Sequence, residues 1–224
     1  MWKILLLAIP LSGLLHGAVV LDRISVIVGK RVVKSSDVDR NLRVSQFLNQ
    51  EPLKLTDVEK KQVASRLIDQ EIIRQEMMNG GYSQPTGQDA EAYLKQLRAD
   101  RFKGSDPAMR AALTQYGLTE DQLRTYFLWQ LTVLDFIDQR FRPGVLVTDE
   151  DVKTYYEQHK AALQKANPKG SSLEALDAKL REVIAGERVN QNFEEWLTQT
   201  RRRIRVVYRD AAIAEPVPPP AVTP

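Results

Sequence analysis

The apolar positions of this chain change period twice. Ile24-Ser25-Val26-Ile27-Val28, a Gly29-Lys30 turn and Arg31-Val32-Val33 form one pattern of short β-branched runs, which predicts a two-stranded hairpin. Ile204-Arg205-Val206-Val207-Tyr208 has the same character near the other end. A lone hairpin is marginal in water, so the C-terminal run is expected as its third strand. Between them the apolar spacing is helical. The expected fold is mainly α, a helical bundle with a small β-sheet formed by the N-terminal hairpin and the C-terminal strand.

The helices carry their own punctuation. Ser35-Ser36-Asp37 offers caps for a first helix that runs through Leu42 and Phe47 until Pro52, with Val38, Leu42 and Ser45 on one stripe. Thr56-Asp57-Val58-Glu59 is a capping box, in which hydroxyl and carboxylate satisfy the exposed amides of the next helix. That helix places Val63, Leu67, Ile68, Ile72, Ile73 and Met77 at helical spacing and stops at Asn79-Gly80-Gly81. A weaker one is expected from about Gly87 to Phe102, with Ala90, Tyr93, Leu94 and Leu97 inward. A short one starts at Asp106-Pro107, read as cap and first-turn proline, and ends at Tyr116-Gly117.

Thr119 caps the next helix, which spans about 34 Å to Phe141 at roughly 1.5 Å per residue. It has two apolar stripes. One is Leu123, Phe127, Leu131, Leu134, Ile137 and Phe141, with Gln130 among them; beside it run Tyr126, Trp129, Val133 and Phe136. A surface helix needs only one such stripe. Either neighbours clamp this helix on both sides, as is common in bundles, or one stripe faces an open groove. After Pro143-Gly144, Thr148-Asp149-Glu150-Asp151 opens a helix whose acidic first turn suits its dipole, with Val152, Tyr155, Tyr156 and Leu163 apolar. Asn167 to Ser172 reads as a linker. A last helix from Leu173 to about Arg202 carries Leu176, Leu180, Val183, Ile184, Phe193, Trp196 and Leu197, with Gly186 as a weak point.

The ends suggest export. Met1-Trp2-Lys3, an apolar stretch from Ile4 to Leu15 and the small pair Gly17-Ala18 compose a secretory leader, and the stretch is shorter than the roughly 20 residues of a membrane span. A retained signal anchor is the alternative. The domain reading is a leader over 1–18, a core over 19–210 made of segments 19–166 and 171–210, and a disordered tail over 211–224, proline-rich from Glu215. The 224 residues include no cysteine, so neither a disulfide framework nor a lipid-anchoring cysteine is available, and a buried core must supply the stability. The net charge of +3, of which the leader's Lys3 contributes one, gives no argument for nucleic acid as a partner.

Catalytic parts are scarce. Apart from His16 in the leader, only His159 remains, on a charged helix beside Gln158 and Lys160. One histidine without cysteine makes neither a multi-histidine nor a thiolate zinc site, and no nucleophile elbow or phosphate-cradling glycine loop accompanies it. No cofactor is expected. Acidic residues are plentiful, and no carboxylate pair is singled out by spacing. Arg201-Arg202-Arg203-Ile204-Arg205 offers a grip for nucleic acid or anionic lipid headgroups. Its simpler role is to neutralise a helix C-terminus and then keep an edge strand wet. Met77-Met78 offers an adaptable contact surface, with at least Met77 in the bundle core.

The stretch from Val20 through Val28-Gly29-Lys30-Arg31-Val32-Val33 to Ser35-Ser36-Asp37-Val38 resembles the start of the SurA-type periplasmic chaperones. Leu67-Ile68-Asp69-Gln70-Glu71-Ile72-Ile73 is similar to a helix of that family, and Thr119 to Arg124 to the step into its long helix. Thr148 to Tyr156 resembles the helix that leads into a parvulin isomerase domain, and the last helix and strand resemble the family's returning C-terminal segment. After Tyr156-Glu157-Gln158-His159-Lys160 the family inserts one or two parvulin domains, whereas here Asn167 to Ser172 stands in their place. The resemblance implies a non-enzymatic chaperone without prolyl isomerisation, whose helical core holds extended, aromatic-rich segments of unfolded outer-membrane or secreted proteins in the periplasm.

Residues on second stripes or weak helices are the expected client contacts: Tyr93, Leu97, Phe102, Met109, Tyr116, Tyr126, Trp129 and Phe136. On this reading Trp129→Ala weakens client binding with little loss of stability. The competing readings are a partner-docking module using the proline tail, and a prolyl isomerase on an unrecognised site. No membrane span is expected once the leader is removed. The hinges at Pro143-Gly144 and Asn167 to Ser172 leave open a homodimer made by exchanging strands or helices.

Overall fold

The computed structural model describes residues 22–166 and 172–214; the leader, most of the Asn167 to Ser172 linker and the tail from Glu215 lie outside them. The described residues form a mainly helical bundle with a small antiparallel sheet. The order is β1 (Ile24–Val28), β2 (Arg31–Lys34), α1 (Ser35–Asn49), α2 (Asp57–Gly80), α3 (Gly87–Phe102), α4 (Asp106–Gln115) and α5 (Glu120–Phe141). A 3-10 turn (Arg142–Gly144) leads to α6 (Asp149–Ala166), α7 (Leu173–Arg203) and β3 (Val206–Tyr208).

The strand order is β2-β1-β3, so the first strand is central and the last strand of the chain closes on it. Val26 pairs with Tyr208, Ile27 with Val207 and Val28 with Val206. Gly29, at φ +59°, makes the β1–β2 turn in the left-handed region that favours glycine. Its N–H donates to the Arg205 carbonyl at 2.9 Å, which ties the turn to the approach of β3. Val26, Val28 and Val33 bury one face of the sheet against Val38 and Leu42 of α1 and against Val63, Leu67, Ile68 and Ile72 of α2.

The capping box of α2 is formed as its sequence requires, with Thr56 accepting from the Glu59 N–H and Glu59 accepting from the Thr56 N–H at 3.2 Å. Gly81, at φ +65°, ends that helix. Two starts differ from expectation. Helix α1 begins one residue earlier than its proposed caps: Asp37 accepts from the Lys34 N–H at 3.1 Å, while Ser35 bonds the Ser25 hydroxyl at 2.8 Å and Ser36 bonds Asp22. The two serines thus tie the helix to the segment around β1. Helix α4 is capped by Ser105, which accepts from the Ala108 N–H, and Asp106 stands inside its first turn.

Helices α6 and α7 pack on each other around Val152, Tyr156, Leu176, Leu180 and Ile184. Arg188 reaches Asp151 at 2.7 and 3.0 Å, and Arg181 reaches both Asp149 and Asp177. Gly186 does not interrupt α7, which spans about 46 Å at roughly 1.5 Å per residue. The far half of α7 returns to the body through Phe193 and Trp196 against Phe141 and through an Arg201–Asp69 ion pair at 2.8 Å.

The tail assigned from residue 211 begins too early. Residues 211–213 form a turn that returns Ile213 to the sheet cluster, where it is buried. The Arg209 N–H donates to the Ser25 carbonyl at 2.8 Å and fixes the direction of that return.

Candidate functional site

Helix α5 packs closely along α3 and α7 but stands off from α2. Side chains bridge the gap incompletely and leave three cavities in a row. The first, 330 Å³, lies between Met77 and Met78 of α2 and Leu128, Trp129 and Thr132 of α5, with Arg31 of β2 and Gln84 at its edge. The second, 90 Å³, shares Arg74, Thr125 and Trp129 with it. The third, 250 Å³, shares Asn41, Gln70 and Tyr126 with the second. Along α2 the lining runs from Val63 to Met78, about 22 Å at roughly 1.5 Å per residue. That length matches about seven residues of extended chain at roughly 3.3 Å each.

The groove is graded. Its Met77–Leu128 end is apolar for the larger part, and its Asn41–Gln130 end is polar for the larger part. Between them lies Trp129, 9% exposed, with the Arg74 guanidinium 3.7 Å from its ring centroid. Such stacking is attractive because the face of an indole is electron-rich. Burial lowers the Arg74 pKa from its ordinary value, Glu71 opposes that shift, and the guanidinium stays charged. Glu71 pairs with the Nε atoms of both Arg74, at 3.4 Å, and Arg31. Burial also raises the Tyr126 pKa, so its phenol is neutral in the groove.

The eight expected client contacts fall into four sets. Tyr126 and Trp129 line the groove. Leu97, Phe102 and Tyr116 pack around the α1, α3 and α4 cluster, where Phe47 meets Phe102 at 6.4 Å and Tyr116 edge-on at 5.5 Å between centroids. Tyr116 is a strut there, its hydroxyl donating to the Glu51 carbonyl at 2.8 Å. Tyr93, 50% exposed, leans on Phe127 away from the groove. Met109 and Phe136 are both 0% exposed, so their assignment as contacts is corrected: the first lies within the cluster shared by α1, α3, α4 and α5, and Tyr82, Phe141 and Trp196 surround the second.

The two stripes of α5 are therefore not core and groove as a pair. Phe136 of the second stripe is sealed, whereas Leu134 of the first is 61% exposed. Trp129 packs on Ile73, Met77 and Phe136, so truncating it costs core packing, contrary to the expected mild effect of Trp129→Ala. The pattern missed Arg31, Arg74 and Leu128, because a hydrophobic stripe does not register the cations and off-stripe residues along a gap. Met78, 74% exposed at the mouth of the cleft, belongs to the Met77-Met78 pair that the sequence offered as an adaptable contact.

Among the described residues no group of three or more histidine, aspartate and glutamate side chains is placed to hold a metal ion, and no helix is long and apolar enough to cross a membrane. His159 stacks on Tyr155 at 4.1 Å between centroids, on the surface of α6. No protein-family model matches the chain, and no curated protein matches it significantly.

Proposed function

We propose that this protein is a periplasmic, ATP-independent holdase that takes extended segments of unfolded outer-membrane or secreted proteins into the groove between α2 and α5. The observation that carries the reading is the groove itself, long enough for about seven extended residues and apolar at one end with flexible Met77 and Met78. Methionine side chains adapt to varied partners because they are unbranched and polarizable. The resemblance of the strand ends and helix starts to SurA-type chaperones supports the same reading. The polar end and the flanking arginines keep the empty groove wet and limit affinity, which lets a client leave without a nucleotide cycle. No catalytic residue is assigned, and prolyl isomerisation is outside the proposed activity.

The test is light scattering from an unfolded outer-membrane β-barrel protein diluted into buffer, with and without an equimolar amount of this protein lacking residues 1–18. Suppressed scattering is expected. Met78→Ser should weaken suppression while changing stability by no more than about 0.5 kcal/mol, as for other exposed positions. Unchanged scattering with every β-barrel client refutes the proposal and favours a docking module.

A further inference from the structure

We propose that the Arg74–Trp129 section of the groove, beside its apolar end, holds the terminal carboxylate of a client whose last residue is apolar. This rests on the holdase reading and names the part of the client that the cleft recognises. Glu71 occupies the Nε atoms of Arg31 and Arg74, one with each carboxylate oxygen. No hydrogen bond from the Arg74 guanidinium forms among the described residues, so its remaining donors are uncommitted. Trp129, which lines the same cleft, buries its Nε1 donor with no acceptor. A buried donor without a partner is uncommon in folded proteins; the Arg74 side chain, 39% exposed, carries the donors that an incoming oxygen reaches in the cleft.

The site is thus rich in donors and carries one net positive charge from Arg31, Arg74 and Glu71. Guanidinium groups bind carboxylates through paired N–H donors, with planar geometry that an ammonium lacks. Within the same 330 Å³ cleft, Met77 and Leu128 supply an apolar wall. A chain end presents both features together, because its carboxylate and its last side chain branch from one Cα. An internal aspartate or glutamate carries its charge at the tip of the side chain and would bring polar backbone to the apolar wall.

The test compares three fluorescein-labelled octapeptides by anisotropy, using the protein lacking residues 1–18. One ends in phenylalanine with a free carboxylate, the second is its C-terminal amide, and the third is the amide with aspartate as its seventh residue. The free acid is expected to bind about tenfold or more tightly than the amide, the scale of a charged hydrogen bond. That preference should vanish in Arg74→Gln and shrink in Arg74→Lys, which keeps charge but not the paired donors. Arg31→Gln, at a more peripheral cation, provides a second reading if Arg74→Gln unfolds by circular dichroism. Equal binding of acid and amide overturns this inference and leaves the holdase reading standing. A third peptide as tight as the free acid also overturns it, in favour of internal acidic residues. If no peptide binds while β-barrel scattering is still suppressed, the inference fails alone; if scattering is not suppressed either, both fail.

Discussion

Ile213→Ala tests whether the fold extends beyond β3. The isoleucine is buried in the cluster that holds Val26, Val28, Val33 and Leu42, so its truncation removes three carbons from a closed site. Buried isoleucine-to-alanine changes cost about 2–5 kcal/mol, through lost transfer energy and the cavity left behind. The lower middle of that range, about 3 kcal/mol, suits a residue held by a short terminal turn that can relax. For a domain of this length each kcal/mol moves the melting temperature by about 2–4 °C, giving an expected fall of about 6–12 °C. Urea unfolding followed by circular dichroism measures the free energy, with an unchanged m-value as the sign that the denatured state is unaffected. Ala211→Ser, on the exposed side of the same turn, serves as the control and should stay within about 0.5 kcal/mol. A loss below about 1 kcal/mol for Ile213→Ala would refute the reasoning and return residues 211–214 to the tail.

Two other expectations follow from local geometry. Gly29→Ala places a Cβ 2.9 Å from the Gln75 side-chain oxygen at a residue with φ +59°, and should cost about 1–2 kcal/mol or more in urea unfolding; unaltered stability would mean that the turn readily changes conformation. The Asp151 carboxyl is held well below the usual carboxylate range, first by Arg188 and then by Thr148. A pKa depressed in the folded state stabilises above the unfolded value, near 3.9, and that contribution is lost as pH falls toward the folded value. The stability gap between the native protein and Asp151→Asn should therefore be constant from about pH 7 to pH 5 and narrow below about pH 4. A gap that stays constant down to pH 2 would contradict the assignment.

Local signals read the elements well because each has a nearby physical cause. Thr56 and Glu59, Thr119 and Gln122, and the glycine stop at Gly81 fix helix ends through bonds made within a few residues. The closure of the ends was legible too, since a hairpin of Ile24 to Val33 requires another strand. What the pattern could not give is which neighbour covers an apolar face. Phe136 lies on the same stripe as Tyr126 and Met109 on a short helix, yet both are sealed by helices that lie elsewhere in the sequence. Ile213 had no periodic companions at all; its burial depends on the backbone bond from Arg209 to Ser25, a contact between chain ends. The groove was only half legible because Arg74 and Arg31 read as ordinary surface charges until Trp129 and Glu71 are seen beside them.

The position of β1 in the sheet has a consequence for how the chain folds. Its two partners lie at opposite ends of the sequence: β2 is adjacent, while β3 is about 180 residues away. Closing a loop of that length costs roughly 4–5 kcal/mol of chain entropy from the logarithmic part alone, before any contact offsets it. The helical hairpins can form early from near neighbours, but the second edge of β1 stays unpaired until β3 has been synthesised. The most buried strand is therefore the last to be completed, and folding should be limited by this long-range step rather than by the helices that make up most of the mass.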